Sequence, residues 1–327
     1  MTGTALLEAR GLVRTFGTGR SWWPGRAQTV HAVDGVTLAV APGETLGLVG
    51  ESGSGKSTLG RCLARLIPAT GGEVAFDGRD VTRLGGRALG PFRRSVQMIF
   101  QDPSSSLNPR RRVGDILREP LAVHRIREGS AIPARLRELM DLVGLPAAAL
   151  QRFPHEFSGG QRQRIGIARA LAMEPRVIVA DEPVSALDVS VQAQVVNLFA
   201  DLRERLGLTY LFIAHDLGVV RQVSSRVAIM YLGSIVEEGG TDAVFDRPAH
   251  PYTAALISAI PVPDPGRRRA RIVLQGEIPS PAAMPVGCKF VTRCPIAAER
   301  CRVERPALLP LPDGRRAACH FPWGTPR

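Results

Sequence analysis

The chain has 327 residues, a formal net charge of +12 and a hydrophobic fraction of 44%. This length and composition favour one large globular domain with a smaller extension. No run reaches the roughly 18 apolar residues of a membrane-spanning helix, and the first residues lack the basic start and apolar stretch of a signal peptide. We therefore expect a cytosolic protein that reaches a membrane only through a partner.

Basic side chains are concentrated at the end of the chain. Residues 261–327 hold 12 basic and 5 acidic side chains, which accounts for +7 of the net charge. Nucleic acid or an anionic membrane surface would suit such a tail, and a solvated basic face is the simpler alternative. Only Lys56 and Lys289 among the 42 basic residues are lysines, so the position of Lys56 is informative.

Lys56 lies in a glycine-rich segment with the spacing of a phosphate-binding loop. The segment GESGSGKST follows the apolar run ETLGLVG and leads into a stretch with apolar residues at helical spacing. Strand, glycine loop and helix form the context that this motif requires. Loop N–H groups surround phosphate oxygens, the Lys56 ammonium reaches the β- and γ-phosphates, and the Ser57 hydroxyl binds Mg²⁺. The predicted nucleotide contacts here are Gly50, Ser52, Gly53, Gly55, Lys56, Ser57 and Thr58.

Two carboxylates end a second apolar run. In RVIVADEP, four apolar residues predict a buried strand that ends at Asp181 and Glu182. Ligands of parallel α/β sheets bind beyond the carboxyl ends of the strands, so both side chains are candidates for the site of Lys56. We expect Asp181 to hold Mg²⁺ and Glu182 to orient and deprotonate the attacking water. Together with the phosphate loop, this pair indicates a nucleotide hydrolase.

A second glycine-rich helix start lies between these two elements. The segment EFSGGQRQRIGIARALAMEP places Ser158, Gly159, Gly160 and Gln161 in front of a helix, which predicts a second anion site. These motifs, in their order, resemble the ATP-binding subunits of ABC transporters over about residues 5–260. The signature of that family reads LSGGQ, and this chain has phenylalanine in place of the leucine.

Four further segments carry the resemblance. MIFQDP supplies Gln101, the Q-loop residue that senses the γ-phosphate and couples to the membrane subunit; SALD supplies Asp188 of the D-loop. LFIAHDL is predicted to be a strand that ends at His215, which the resemblance makes the switch histidine that holds the γ-phosphate and water. LVRTF places Phe16 where an aromatic ring stacks on adenine, with a core position as the alternative. The implied catalytic residues are Glu182, His215 and Gln101, and the implied Mg²⁺ ligands are Ser57, Gln101 and Asp181.

The resemblance also explains two anion sites in one chain. Two such subunits stack head to tail, and each ATP lies between the phosphate loop of one subunit and the signature of the other. Ser158, Gly160 and Gln161 are therefore expected to contact nucleotide held by a partner. A second ABC ATPase subunit, as a heterodimer, is the expected partner, and an isolated monomer should be nearly inactive.

Several segments resemble the dipeptide and oligopeptide importer subfamily, among them QMIFQDPSSSLNPR and HPYTAALISAIP. The resemblance implies a peripheral subunit at the cytoplasmic face of the cell membrane, of the second ATPase subunit type. Its other partners would be two membrane permease subunits and, indirectly, an extracytoplasmic substrate-binding protein. Nickel, glutathione or another small solute are alternative cargoes. A soluble ABC ATPase acting on nucleic acid is the alternative from another class, although no nucleic acid is expected.

Four cysteines lie near the end of the chain, at Cys288, Cys294, Cys301 and Cys319. Disulfides are disfavoured in the cytosol. Zinc sites usually pair ligands two to four residues apart, closer than these, although His320 keeps zinc open. Four thiolates on irregular loops suit a 4Fe-4S iron-sulfur cluster, which some members of the subfamily hold at similar spacing. Zinc and no metal at all are the alternatives.

The resemblance implies an α/β fold of the P-loop NTPase type, with a mixed sheet core, an antiparallel β subdomain and a helical subdomain. We expect a nucleotide-binding domain over residues 1–260, with the helical subdomain at about 102–173, and a cysteine-containing extension over 261–327. The helix around Ile116 and Leu117 is expected to line the groove that receives a coupling helix of the permease.

Two more features have open interpretations. Trp22 and Trp23 could contact lipid or a membrane subunit, or could pack on the surface of this chain. Cys62, on the helix after the phosphate loop, is expected to be a small buried hydrophobe.

Overall fold

The computed structural model describes residues 5–17, 29–102, 106–260, 271–280 and 282–323. Trp22 and Trp23 lie outside the described residues, so their interpretation stays a prediction. Within the described residues, two sheets carry the fold, one of four strands and one of eight.

The smaller sheet is antiparallel and has the strand order β2-β1-β4-β5. The antiparallel β subdomain that the resemblance implied is present as this sheet, whose strands lie between residues 7 and 80. Its inner face is apolar and packs over helix α1, so this layer closes one side of the phosphate loop. The bounds are β1 Leu7–Gly17, β2 Thr29–Val40, β4 Gly71–Phe76 and β5 Arg79–Asp80.

The larger sheet is mixed and has the strand order β11-β12-β10-β9-β3-β8-β7-β6. Strands β9, β3, β8, β7 and β6 run parallel to one another. Nearly every residue of β9, β3, β8 and β7 is buried. Such continuous apolar runs are typical of parallel strands covered by helices on both faces. The bounds are β3 Thr45–Val49, β6 Val96–Ile99, β7 Val177–Asp181, β8 Thr209–Ala214, β9 Arg226–Tyr231, β10 Ser234–Gly240, β11 Leu309–Pro310 and β12 Arg316–Ala317.

Helices cover the larger sheet, and others form the segment at about residues 102–173 that was predicted to be helical. The helix predicted around Ile116 and Leu117 is present, a second helix follows it, and Gly144, with φ of +66°, comes just after the end of the second helix. No helix among the described residues is long and apolar enough to cross a membrane. The bounds are α1 Lys56–Leu63, α2 Gly90–Ser95, α3 Val113–Val123, α4 Ala131–Leu142, α5 Gly159–Leu171, α6 Val189–Leu206, α7 Leu217–Val223, α8 Thr241–Asp246, α9 Pro251–Ser258 and α10 Glu299–Val303.

The described part of the C-terminal extension is attached to both sheets. Strand β12 pairs with β10 at the edge of the larger sheet, and β11 pairs with β12. Asp34 of the smaller sheet forms ion pairs with Lys289 and Arg305 of the extension, each at 2.9 Å. The Lys289 ammonium, 6% exposed, also donates to the Ser234 hydroxyl. The extension therefore holds the two sheets to each other, which composition alone did not indicate.

Candidate nucleotide site and cysteine cavity

The glycine loop between β3 and α1 has the tight geometry that the motif predicts. A Cβ atom on Gly50 would lie 2.1 Å from the carbonyl oxygen of Met230, and one on Gly55 would lie 2.0 Å from that of Ala32. Gly55 also has φ of +103°, which disfavours any L side chain. The loop can therefore follow this path only if positions 50 and 55 are glycine.

The ammonium of Lys56 is folded into this loop. It donates to the carbonyl oxygens of Gly50 at 2.7 Å and Glu51 at 2.9 Å, and Lys56 is 4% exposed. Burial lowers the pKa of Lys56, and the nearby carboxylates of Glu182 and Asp181 offset only part of that decrease. A desolvated cation held by uncharged carbonyls is suited to binding a polyanion at this point.

Ser57 and Asp181 meet at the predicted Mg²⁺ site. The Ser57 hydroxyl donates to Oδ1 of Asp181 at 2.7 Å, and Arg61 lies 3.9 Å from Oδ2. Asp181 is 1% exposed, and its burial raises the pKa of the carboxyl. A hydroxyl and a buried carboxylate side by side are oxygen ligands of the kind that Mg²⁺ takes, so these residues fit that ion.

Glu182 is the centre of the predicted catalytic residues. Its Oε2 accepts from Nε2 of Gln101 at 3.1 Å and lies 3.1 Å from Nδ1 of His215. Glu182 has φ of +47°, and its backbone N–H donates to the carbonyl of Ile213 at 2.9 Å. The backbone thus holds a strained conformation that turns this carboxylate toward the phosphate loop.

These side chains line one cleft of about 520 Å³. The cleft brings together most of the residues that sequence motifs assigned to one nucleotide, although they come from four separate segments. Its lining residues are Ser52, Gly53, Gly55, Lys56, Ser57, Thr58, Gln101, Glu182 and His215.

The signature residues do not line this cleft. Ser158 caps helix α5: its hydroxyl accepts from the Gln161 N–H at 3.3 Å, and the Gln161 side chain accepts from the Ser158 N–H at 3.0 Å. A Cβ atom on Gly160 would lie 2.2 Å from Cγ1 of Val191, so a larger residue is excluded there. Asp188 directly precedes α6 and is exposed. The signature therefore lies outside the cleft of its own chain, and its contact with a nucleotide on another subunit stays a prediction.

Phe16 is at the end of β1 and is 39% exposed, so it is not a core residue. The guanidinium of Arg14 lies 4.4 Å from the centre of its ring. The Arg14 cation covers one face of this exposed ring, and an exposed aromatic ring is suited to stacking on a planar base.

Phe16→Ala is expected to weaken ATP binding about fivefold, because aromatic stacking contributes about 0.5–1.5 kcal/mol. The dissociation constant of Mg-ATP from the full-length chain would measure it. Phe16→Tyr keeps the ring and should bind as the unchanged chain does. Equal affinity for all three proteins would remove Phe16 from the adenine site.

A groove of about 540 Å³ lies on another face of the molecule, between α3, α5 and strand β6. Ile116 lines it, as predicted, whereas Leu117 is fully buried and points into the core. Leu66 and Val123 lie in the groove and are 50% and 70% exposed. Exposed apolar side chains in a concave surface are a common feature of sites that dock another protein.

The four cysteines of the extension surround one small cavity near α9. Burial raises the pKa of Cys319 to about 12, and the other three cysteines add to that shift. Burial also raises the pKa of Cys288, whose backbone N–H donates to the carbonyl of Cys301 at 2.8 Å. Cys294 completes the lining. The folded chain therefore gathers the four thiols that the sequence singled out.

These thiols do not converge on one point. Among the described residues, no three His, Cys, Asp or Glu side chains are close enough together to hold a single metal ion. His320, the additional zinc candidate, already has Nε2 at 3.0 Å from the carbonyl oxygen of Glu304. Cys62 lies elsewhere, is 0% exposed and has its pKa raised to about 11 by burial, as expected for a small core residue.

Three residues near the nucleotide site were missed by the sequence reasoning. Glu51, in the phosphate loop, forms an ion pair with Arg293 of the extension at 2.7 Å, and its N–H donates to the Tyr252 hydroxyl at 2.8 Å. Arg293 directly precedes Cys294, so the cysteine segment reaches the phosphate loop. Neither periodicity nor motif spacing could indicate a pair 242 residues apart.

Two parts of the chain match known families. Residues 33–185 match the family described as ABC transporter. Residues 236–301 match the one described as the oligopeptide/dipeptide transporter C-terminal region.

Similar proteins span nearly the whole chain. A Brucella ovis protein whose name describes it as a peptide import ATP-binding protein is 52% identical over 319 residues, covering 98% of both chains. The Bacillus subtilis oligopeptide transport ATP-binding protein AppF is 48% identical over 319 residues, covering 97% of both. The ATP-binding cassette MJ0796, solved as a dimer bound to ADP and phosphate, is 28% identical with a TM-score of 0.64, covering 72% of this chain and 98% of its own.

Proposed function

The chain belongs to the ATP-binding proteins of ABC transporters, and on that premise we propose that it hydrolyses ATP to drive the import of short peptides through a separate membrane permease. One observation carries the hydrolysis: Glu182 lies beside the phosphate loop with Gln101 and His215 each 3.1 Å from its Oε2. The peptide cargo is supported by the names of the relatives and by the match to the oligopeptide/dipeptide transporter C-terminal region.

In this proposal, each polar side chain in or beside the cleft has a role. Lys56 would bind the β- and γ-phosphates, and Ser57, Asp181 and Gln101 would hold Mg²⁺. Glu182 accepts the proton of the attacking water, and His215 orients that water and the γ-phosphate. Mg²⁺, when bound, neutralises charge that develops on the phosphate oxygens.

Hydrolysis requires a second ATPase subunit in this proposal. Ser158, Gly160 and Gln161 lie at a helix N-terminus outside the cleft, where backbone N–H groups favour an anion. They would complete a site on the partner, and the partner's signature would complete the site of Lys56. We propose a heterodimer, with this chain as one of two different ATPase subunits.

The groove of Ile116 and Val123 is the proposed docking surface for the permease. A coupling helix that places an apolar side chain against Val123 would bury the exposed surface of this groove. The chain then works peripherally at the cytoplasmic face of the membrane, and the cargo itself does not touch this subunit.

The experiment is a mild-detergent pull-down of the full-length chain from native membranes. Two multispanning proteins, a second ATPase and a peptide-type binding protein are expected. Val123→Arg should reduce their recovery roughly tenfold or more, because an unpaired charge would be buried at the interface. Val303→Arg is the matched control, since Val303 is similarly exposed at 67% but lies on α10, outside the groove.

Two outcomes would overturn this proposal. Equal losses with Val123→Arg and Val303→Arg would remove the groove as the docking surface. Recovery of a homodimer alone, or of nucleic-acid machinery, would remove the transport function and leave only an ATPase.

We further propose that the cysteine cavity holds a 4Fe-4S iron-sulfur cluster on Cys288, Cys294, Cys301 and Cys319. Support comes from the four thiols that line one cavity, because a cubane binds each of four thiolates through a different iron atom. Zinc is the alternative, although zinc ligands usually come in pairs two to four residues apart and these cysteines are more widely spaced. When bound, the cluster would tie together four segments of the extension.

Analysis of the metal content separates these alternatives. A brown protein with about four irons and four sulfides per chain after anaerobic purification supports the cluster. A colourless protein with stoichiometric zinc, or with no metal, would overturn it.

A further inference from the structure

The phosphate loop is held from outside by the C-terminal extension, through Glu51. The guanidinium of Arg293 donates to both carboxylate oxygens of Glu51, from Nη1 at 2.7 Å and from Nη2 at 3.0 Å. The Arg293 side chain is only 9% exposed and that of Glu51 25% exposed. A two-pronged, largely buried arginine–carboxylate pair fixes geometry as well as charge.

The backbone of Glu51 is part of the nucleotide site itself. Its carbonyl oxygen accepts from the Lys56 ammonium at 2.9 Å and from the Ser54 N–H at 3.1 Å. Its N–H donates to the hydroxyl of Tyr252, which lies on α9 at the start of the path into the extension. A shift of Glu51 would therefore move the ammonium that meets the phosphates.

The negative charge of the Glu51 carboxylate is also unfavourable for phosphate binding by this loop. The loop around it binds a polyanion, and an unpaired carboxylate there would repel phosphate at short range. Arg293 cancels that charge through contacts with the carboxylate oxygens alone.

The position of Arg293 is set by the cysteine segment. Its N–H donates to the carbonyl of Phe290 at 3.0 Å, within a turn that begins at Cys288 and ends at Cys294. The Phe290 ring packs edge-on against Tyr231, with 5.3 Å between ring centres, and Tyr231 in turn lies 4.7 Å from Tyr252. A continuous set of packed side chains thus connects the cysteine cavity to the phosphate loop.

We propose that Arg293 is a positioning residue for ATP binding, which acts from the extension through the carboxylate of Glu51. The inference rests on the proposed nucleotide site but requires neither the peptide cargo nor the metal cluster. It assigns to the extension a direct part in nucleotide affinity, besides its attachment to the two sheets.

The test measures the dissociation constant of Mg-ATP from the full-length chain. Arg293→Ala should weaken binding about tenfold, which corresponds to about 1.4 kcal/mol. Arg293→Lys keeps the positive charge but lacks the paired donors of a guanidinium, so it should weaken Mg-ATP binding only about threefold. Arg305→Ala is the matched control, because Arg305 also joins the extension to a carboxylate, that of Asp34, which does not line the nucleotide cleft. This variant should stay within about twofold.

A double-mutant cycle distinguishes positioning from a general loss of structure. In a Glu51→Ala background, Arg293→Ala should weaken binding no further, because its partner is already absent. In the assembled ATPase, Arg293→Ala should raise KM for ATP about tenfold with kcat within about twofold.

Three results can be told apart. If the unchanged chain does not bind ATP, the proposed function fails. If it binds ATP and Arg293→Ala binds equally well, the inference alone fails. An equal loss from Arg293→Ala with and without Glu51 would also overturn it, because the arginine would then act by another route.

Discussion

Glu182→Gln is expected to lower ATP turnover about 100- to 10,000-fold while ATP binding is retained, because the general base is lost. Glutamine keeps the volume of the side chain and its hydrogen bond with Gln101, but it cannot accept the proton of water. The measurement combines the steady-state ATPase rate of the assembled subunits with the dissociation constant of Mg-ATP.

Glu174→Gln is the matched control for this substitution. Glu174 is also a glutamate with positive φ, at +51°, and its carboxylate forms ion pairs with Arg127 and Arg94 at the surface. The same chemical change there should leave kcat within about twofold. If Glu182→Gln also leaves kcat unchanged, Glu182 is not the base, and His215 becomes the candidate to test next.

The nucleotide site could be predicted because each of its main residues directly follows, or lies shortly after, a strand that the sequence reveals as an apolar run. Lys56 follows β3, Glu182 follows β7 and His215 follows β8, and parallel strands bring their carboxyl ends to one edge of the sheet. The sequence did not indicate that β8 lies between β3 and β7, an order that puts His215 within 3.1 Å of Glu182.

The attachment of the extension could not be predicted, because nothing in it is periodic. Strands β11 and β12 have two residues each, too few for an alternating pattern. The ion pairs of Arg293 with Glu51 and of Lys289 with Asp34 join residues more than 240 positions apart. Such pairs depend on the tertiary fold, and no motif spacing indicates which residue of the extension pairs with which residue of the core.

Cys301→Ser is the second substitution with a large expected effect. If the cavity holds a 4Fe-4S cluster, bound iron should fall from about four atoms per chain to below about one, because a serine hydroxyl is a poor replacement for a thiolate on iron. Iron and sulfide analysis of anaerobically purified protein measures the loss. Cys62→Ser is the matched control: Cys62 is equally buried, and its substitution should leave the iron in place.

Loss of the cluster should also release the extension from the core. Metal binding and folding are coupled where few apolar residues support a segment, so residues 282–323 should become sensitive to protease in the Cys301→Ser chain. Its melting transition should lose cooperativity, whereas Cys62→Ser should lower stability by an ordinary core cost of about 1–2 kcal/mol. Unchanged protection of the extension after iron loss would show that strand pairing alone holds it.

The same substitution should weaken ATP binding, although it lies outside the nucleotide cleft. The Arg315 guanidinium, next to β12, lies 3.2 Å from the buried carboxylate of Glu237, which also accepts the N–H groups of Ala249 and His250 ahead of α9. Release of the extension removes Arg315 from Glu237 and Arg293 from the phosphate loop together. Cys301→Ser should therefore raise the dissociation constant of Mg-ATP at least as much as Arg293→Ala, about tenfold; unchanged affinity in an iron-free chain would show that the loop keeps its shape without the cluster.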